Sequence, residues 1–233
     1  MMRADEIGEM RKLRIFQGVA EKHVIEMLRP AFLQRFPAGV ELVREGDPAD
    51  FLHVVVEGHV EVFSSYLERE TTVAVLGADE CFITAAVVLD RIYLKSARSL
   101  TPSRVLLVPA DLVRQVFLKD GAFAISLASD LAKSYRMVVK ELKNQKLRSN
   151  LERLANWLLV RRQELGGGNK FELPFEKKVL SARLGMAPEV LSRSFAALAP
   201  YRVKVNGAAV EIGDVAALTK LAKPTRTIDD PDC

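Results

Sequence analysis

The stretch Lys178-Val-Leu-Ser-Ala-Arg-Leu-Gly-Met-Ala-Pro-Glu-Val-Leu-Ser-Arg-Ser-Phe195 reads as two short helices joined by a tight turn. Leu180 and Leu184 stand four apart, on one face of the first helix. Gly185 falls at the turn, where a positive φ is cheap only for glycine. Pro188 opens the second helix, at a position whose N–H is unsatisfied in any case. Leu191 and Phe195 repeat at i, i+4 on its buried side, and Glu189, Ser192 and Arg193 fall together on another. The pattern is a helix-turn-helix whose second helix carries a polar face fit for a major groove. There a Glu accepts from cytosine N4, an Arg gives guanine a bidentate pair, and a Ser serves a base or a phosphate. The plainer alternatives are a first-turn charge that suits the helix dipole for Glu189 and a surface ion pair for Arg193.

Downstream, Arg202-Val-Lys-Val205, Asn206-Gly207 and Ala208-Ala-Val-Glu-Ile212 predict a β-hairpin, because Asn-Gly is the strongest two-residue turn signal. Arg202 and Lys204 are expected on one face of it, as a wing touching phosphate requires. Asp214 is placed to cap a last short helix ending near Ala222. Residues 224–233, rich in Pro and Asp, read as a loose tail. Upstream, Leu151, Leu154, Leu158 and Leu159 mark a helix that Gly166-Gly-Gly168 ends. Before it, Ala124, Ala128, Leu131, Tyr135, Val138, Leu142 and Gln145 are spaced 4-3-4-3-4-3, a heptad seam on a long helix. A parallel homodimer through this seam is expected, although an ordinary amphipathic core helix gives a similar pattern.

Residues 32–109 change character. Val40–Val43, Phe51–Val56, Val60–Phe63, Thr71–Leu76 and Arg104–Pro109 are short β-branched runs punctuated by Gly39, Gly46-Asp-Pro48 and Gly58. They predict a small antiparallel roll, preceded by short helices over 5–30. The expected fold class is therefore α+β: roll, long helix, winged helix-turn-helix. The expected domains are an effector-sensing roll (1–120), a dimerisation helix (121–147), a DNA-binding domain (148–223) and the tail (224–233).

Charge follows the same division. The 233 residues carry a net +4, but residues 1–120 hold 15 Lys/Arg against 18 Asp/Glu, and residues 121–233 hold 19 against 12. The basic half contains the helix-turn-helix, as polyanion binding needs. Two cysteines, Cys81 and Cys233, form no disulfide framework and no metal-ligand spacing. With no apolar run long enough for a membrane span and no signal-peptide core, a cytoplasmic location is expected and a membrane partner is not. Neither a Ser–His–Asp set, nor a paired-carboxylate motif, nor a phosphate loop is present, which argues against catalysis.

The order of roll, seam helix and winged helix-turn-helix resembles the Crp–Fnr family of bacterial transcription regulators, from about Phe16 to Ala222. Pro37–Val62 looks like the opening strands of that family's cyclic-nucleotide-binding-type domain, and Glu189-Val-Leu-Ser-Arg193 is similar to the E-x-x-S-R element of the Fnr-like branch. The resemblance implies a homodimer on a TTGA-like inverted repeat of double-stranded DNA, RNA polymerase as a partner, activation of transcription, and a small-molecule or gas effector. Two departures stand out: Ala187 replaces a capping Ser or Thr before Pro188, and Ala199-Pro-Tyr201 lacks the glycine that leads into the wing. A regulatory enzyme subunit that uses the same roll without DNA is the rival reading.

The family's cyclic-nucleotide site has a Gly-Glu pair and an Arg-Ser-Ala element. Here the first falls near Cys81-Phe82, and the second on Tyr93-Leu94 or, with a gap, on Lys95-Ser96. None of these supplies the bidentate fork that a buried phosphate needs, so cAMP is not expected. Iron–sulfur sensing needs clustered N-terminal cysteines, which are absent. Haem, with NO sensing as in denitrification regulators, is the leading effector expectation. Cys81 stands near a known thiolate-ligand position, and the run Phe82–Leu89 suits either a pocket wall or packed core. His23, His53 and His59 are expected on the surface rather than as axial ligands.

Overall fold

The computed structural model describes residues 2–67 and 69–230 and divides the chain into a unit ending at Tyr135 and a unit beginning at Arg136. The first unit opens with helices α1 (Ala4–Met10) and α2 (Glu21–Leu28). Strands β1 (Phe32–Phe36), β2 (Glu41–Val43), β3 (Phe51–Glu57), β4 (Val60–Tyr66), β5 (Arg69–Leu76) and β6 (Cys81–Phe82) follow. Helix α3 (Thr84–Leu89) precedes β7 (Ser96–Ser99) and β8 (Ser103–Pro109), and α4 (Ala110–Lys119) completes the roll. The strands pair antiparallel in two four-stranded sheets, β1-β8-β3-β6 and β2-β7-β4-β5. Leu52, Val54, Val60, Val62, Ala97, Val105, Leu106 and Val108 are buried in one core, so the short alternating runs close into the expected α+β roll.

Three strands were not legible. Phe-Leu-Gln-Arg-Phe of β1 and Ser-Ala-Arg-Ser of β7 lack the β-branched signature, and β6 is only two residues long. Tertiary pairing recruits them. Ser99, for example, accepts from Val40 N (3.0 Å) and donates to Pro37 O (2.6 Å), fixing β7 against the turn before β2. The β3–β4 turn demands glycine. At Gly58 φ is +84°, and a Cβ would lie 2.5 Å from Pro102 O.

Helix α5 (Gly121–Leu147) is capped by Asp120, whose Oδ1 accepts from Phe123 N at 3.1 Å. Its first half packs on the roll through Phe123 and Leu127, and Phe123 stacks on Phe16 with ring centroids 6.4 Å apart. Beyond Leu127 no side chain of α5 is buried.

In the second unit Ser149 and Glu152 form a capping box at the start of α6 (Asn150–Glu164). Strand β9 (Lys170–Glu172), helices α7 (Lys177–Arg183) and α8 (Pro188–Ala197), strands β10 (Val203–Asn206) and β11 (Ala209–Ile212), and helix α9 (Val215–Ala222) follow. Asp214 Oδ1 accepts from Ala217 N at 2.9 Å and caps α9 as its sequence position foretold. The strands pair in the order β10-β11-β9, giving a winged helix-turn-helix over a core of Leu154, Leu158, Leu180, Leu191, Leu198, Ile212 and Leu218. The tail departs from its expected looseness. Arg226–Asp229 form a helical turn, α10, tied to the unit by an ion pair and hydrogen bonds; residues 231–233 lie outside the described part of the chain. Among the described residues no helix is long and apolar enough to cross a membrane.

Candidate nucleic-acid interface

Helix α8 is built to show one face. Leu191 and Phe195 share a buried cluster with Leu180 of α7 and Leu184 just after it, which leaves Glu189, Ser192 and Arg193 exposed together. Gly185, at φ +61°, makes the turn between the helices, and Gln145 packs 3.3 Å from where its Cβ would be. Ala187 offers no side-chain cap; its carbonyl instead accepts from Val190 N (2.9 Å) and Leu191 N (3.0 Å). Arg193 Nε reaches only the Glu189 carbonyl, at 3.3 Å, so its remaining donors and the Glu189 carboxylate face outward.

The wing needs a correction. Arg202 is not on a strand. It ends a 3₁₀ turn, Ala199–Tyr201, set by Pro200, and takes a left-handed conformation (φ +56°) one residue before β10. The chain reverses there without the usual glycine, at a cost of about 1 kcal/mol for a side-chain-bearing residue. Arg202 is still exposed, and its carbonyl accepts from Gly213 N at 2.8 Å. Lys204 is exposed on β10, directly across from Glu211, which itself pairs with Lys170 at 3.7 Å.

A feature no sequence signal revealed supports this interface from behind. Arg153 of α6 is 7% exposed and has no carboxylate partner among the described residues. Its guanidinium donates to backbone carbonyls of Leu184 (2.9 Å), Arg148 (3.0 Å), Gly185 (3.4 Å) and Gln145 (3.5 Å), and to Asn150 Oδ1. One side chain thus ties the end of α5, the α5–α6 link and the turn before the recognition helix.

On α5, Tyr135, Val138 and Leu142 are 70%, 53% and 54% exposed; Ala128 is exposed and Leu131 half-buried. The seam residues do not belong to either core.

In the roll, a cavity of about 370 Å³ is lined by Arg14, Gln17, Asp79, Cys81, Ser129 and Asp130, among others. Thr84 Oγ1 donates to Asp130 Oδ2 at 3.0 Å, and burial raises the Asp130 pKa. Ile83, just before α3, is held at φ +58°, a strained conformation for a β-branched residue. The resemblance places the cyclic-nucleotide elements at Cys81-Phe82 and at Tyr93-Leu94 or Lys95-Ser96. Cys81 and Phe82 are buried in β6, Tyr93 is buried with its hydroxyl on Phe51 O (3.2 Å), and Leu94 points outward. Ser96 accepts from Glu45 N (3.0 Å), and Lys95 is half-buried with its pKa lowered by burial.

Of the three histidines expected on the surface, His53 is buried and His23 and His59 are partly open. His23 Nδ1 lies 2.8 Å from Asp120 Oδ2, and this bond, with backbone donors, lowers the Asp120 pKa to about 2. His53 is 4% exposed, stacked on Phe82 at 4.9 Å with Phe51 and Tyr93 edge-on, and its Nδ1 has no hydrogen-bond partner. His59, like His23, is partly open. Of the four candidate haem ligands, three are enclosed or engaged and His59 is partly open. His53 is walled in by rings, His23 is engaged by Asp120, and burial pushes the Cys81 thiol up, away from thiolate.

Burial lowers the His53 pKa to about 4, the Phe51 backbone opposing weakly. The native ring stays neutral while the unfolded ring takes a proton below about 6.5. Stability is therefore full above that pH, falls as pH drops from about 6.5 to 4, and loses roughly 3 kcal/mol in all. Urea unfolding across this range is expected to show the loss in the wild type and its absence in His53→Leu.

Two family models match the chain: a cyclic nucleotide-binding domain over residues 33–120 and a Crp-like helix-turn-helix domain over residues 152–221. The chain belongs to the Crp/Fnr family of transcription regulators. This Crp/Fnr regulator is 22% identical over 225 residues to a CRP-like cAMP-activated global transcriptional regulator of Mycobacterium tuberculosis, covering 94% of this chain and 100% of the relative. A solved structure from Ruegeria pomeroyi, described as a cyclic nucleotide binding protein, is 27% identical with a TM-score of 0.59 and covers 96% of this chain and 100% of its own. A Crp/Fnr-type regulator from Eubacterium rectale shares the fold at a TM-score of 0.74 and 15% identity, covering 90% of this regulator and 98% of itself. The regulator therefore joins an effector-binding type of roll to a DNA-binding helix-turn-helix.

Proposed function

We propose that this regulator works as a homodimer, paired along Ala128, Leu131, Tyr135, Val138 and Leu142, that reads an inverted TTGA-like repeat with Glu189, Ser192 and Arg193 and touches phosphate with Arg202 and Lys204. The observation that carries the proposal is the exposed Glu189–Ser192–Arg193 face, held outward by a buried Leu191–Phe195 side. A two-fold dimer places equal helices on successive grooves of a palindrome, about 34 Å apart. RNA polymerase is the proposed downstream partner.

The effector is proposed to act through the roll and not to be cAMP. The M. tuberculosis relative is cAMP-activated by name, but here the phosphate-binding positions carry buried or apolar side chains and a lone lysine. The cavity beside Cys81 is the proposed point of action, because Ser129 and Asp130 in its wall belong to α5. A haem-borne signal is the alternative, and the partly open His59 is where its ligand would be sought.

Fluorescence anisotropy on TTGA-palindrome and scrambled duplexes, with and without cAMP, tests this. The palindrome is expected to win by orders of magnitude regardless of cAMP; equal binding to both duplexes, or strict dependence on cAMP, overturns it. In the same assay Arg193→Ala is expected to lose roughly 1–3 kcal/mol on the palindrome and to relax its specificity. Lys204→Ala is expected to weaken both duplexes alike and to reduce the salt dependence by about one ion.

A further inference from the structure

The segment after α9 is a strap laid along the end of α5. Lys223 turns the chain with a left-handed φ of +47°, and its ammonium lies 3.3 Å from Glu152 of α6. Lys143 Nζ then donates to Thr227 Oγ1 (2.9 Å) and Lys140 Nζ to Asp230 O (2.6 Å). At the centre, the Arg148 fork closes on the Asp229 carboxylate through Nη1–Oδ1 (2.7 Å) and Nη2–Oδ2 (2.5 Å). These two side chains are only 7% and 13% exposed, unlike an ordinary surface pair. Thr225 N also donates to Asp229, at 2.6 Å, which fixes its rotamer.

The place matters more than the pair. Arg148 lies between the last residue of α5, Leu147, and the N-cap of α6, Ser149. It also holds Asn144 Oδ1 one turn back (3.2 Å), and its carbonyl accepts from Arg153, which grips the turn before α8. A four-residue helical turn has no stability of its own, so its order comes from these contacts. A bidentate, largely desolvated Arg–carboxylate pair is both strong and orientation-specific.

We propose that residues 224–230 are a built-in strap that sets the angle at the α5–α6 link, with Arg148 and Asp229 as its positioning pair. In the dimer proposed above, on which this rests, that angle fixes the spacing between the two DNA-reading helices. The strap then acts on geometry, not on base contacts. It determines which operator spacing is read.

The test compares wild type, Asp229→Asn and a chain ending at Lys223 on single half-site duplexes and on operators with spacers lengthened or shortened by a fraction of a helical turn. Wild type must first bind the standard palindrome; if it does not, the dimer-on-palindrome reading fails and the strap is not at issue. Given that binding, both variants are expected to match wild type on half-sites, to lose about tenfold on the standard operator through weaker effective concentration, and to tolerate altered spacers better than wild type. Unchanged affinity and spacing preference in Asp229→Asn overturns the proposal. So does an equal loss on half-site and operator, because that marks damage to the fold rather than to the angle. Asp229→Asn keeps the test open should the shortened chain fail to fold.

Discussion

Replacing Val138 and Leu142 together by aspartate is expected to split the proposed homodimer and to lower operator affinity by about 10²–10⁴-fold, while half-site binding stays unchanged. Both positions are more than half exposed and touch neither core, so the substitution costs the folded subunit little. In a parallel two-fold pair each seam residue meets its own copy or a near neighbour. Four carboxylates brought together in an apolar seam repel one another and lose hydration, and neither loss is compensated. The second half-site then no longer binds as an intramolecular event. Sedimentation of the variant, with titrations on one-site and two-site duplexes, checks both halves of the expectation. A variant that remains a dimer places the interface off this seam.

Much of the fold was legible because its signals are local. The Leu180–Phe195 pattern, the Asn206-Gly207 turn and the 4-3-4 spacing on α5 each depend on residues within a turn or two, and local hydrophobic period is what a sequence displays best. The Glu189–Arg193 face followed directly from where Leu191 and Phe195 must be buried. The sites that escaped depend on distant partners. His53 reads as a polar residue in a strand, yet Phe51, Phe82 and Tyr93 enclose it, and only the β3–β6 register brings Phe82 opposite. Alternation puts Arg202 on a strand because it says nothing of the 3₁₀ turn at Pro200. The tail looked loose because Pro, Thr and Asp lack a period. Its order comes from Lys140, Lys143 and Arg148, eighty or so residues earlier.

These misses share a physical theme: each involves a polar or charged side chain whose role is set by what it is buried against. Asp120 illustrates the gain. It caps α5 through Phe123 N, accepts from Ala20 N at 3.0 Å and holds His23, so one carboxylate fastens the long helix to the N-terminal helices. Thr84 and Asp130 make a second such link, between α3 and α5. An effector in the adjoining cavity that displaced the Thr84–Asp130 bond would act directly on the helix carrying the seam. That is the differential contact a two-state switch requires.

Arg153→Ala is expected to destabilise the C-terminal unit by about 3–5 kcal/mol and to depress its melting temperature by well over 10 °C. The guanidinium is the donor for four backbone carbonyls and one side-chain oxygen, and alanine removes all of these donors at once from a buried position. Burial lowers the Arg153 pKa, with Glu141 opposing, but the group stays charged at any pH the protein meets. Arg153→Lys is expected to recover only part of the loss, since one ammonium lacks the fork that reaches Leu184 and Arg148 at once. The loss has a functional direction too. Leu184 and Gly185 form the turn that aims α8, Gln145 lies in the last turn of α5, and Arg148 follows it. At temperatures where Arg153→Ala is still folded, the turn and the helix end are free to move apart. Amide exchange is therefore expected to rise at 145–149 and 184–190 more than in the α6–α9 contact. Differential calorimetry with hydrogen exchange measures both. A variant that melts within a few degrees of wild type, with protected amides at 184–190, means that water or neighbouring amides satisfy these carbonyls and that the recognition helix is held by its apolar face alone.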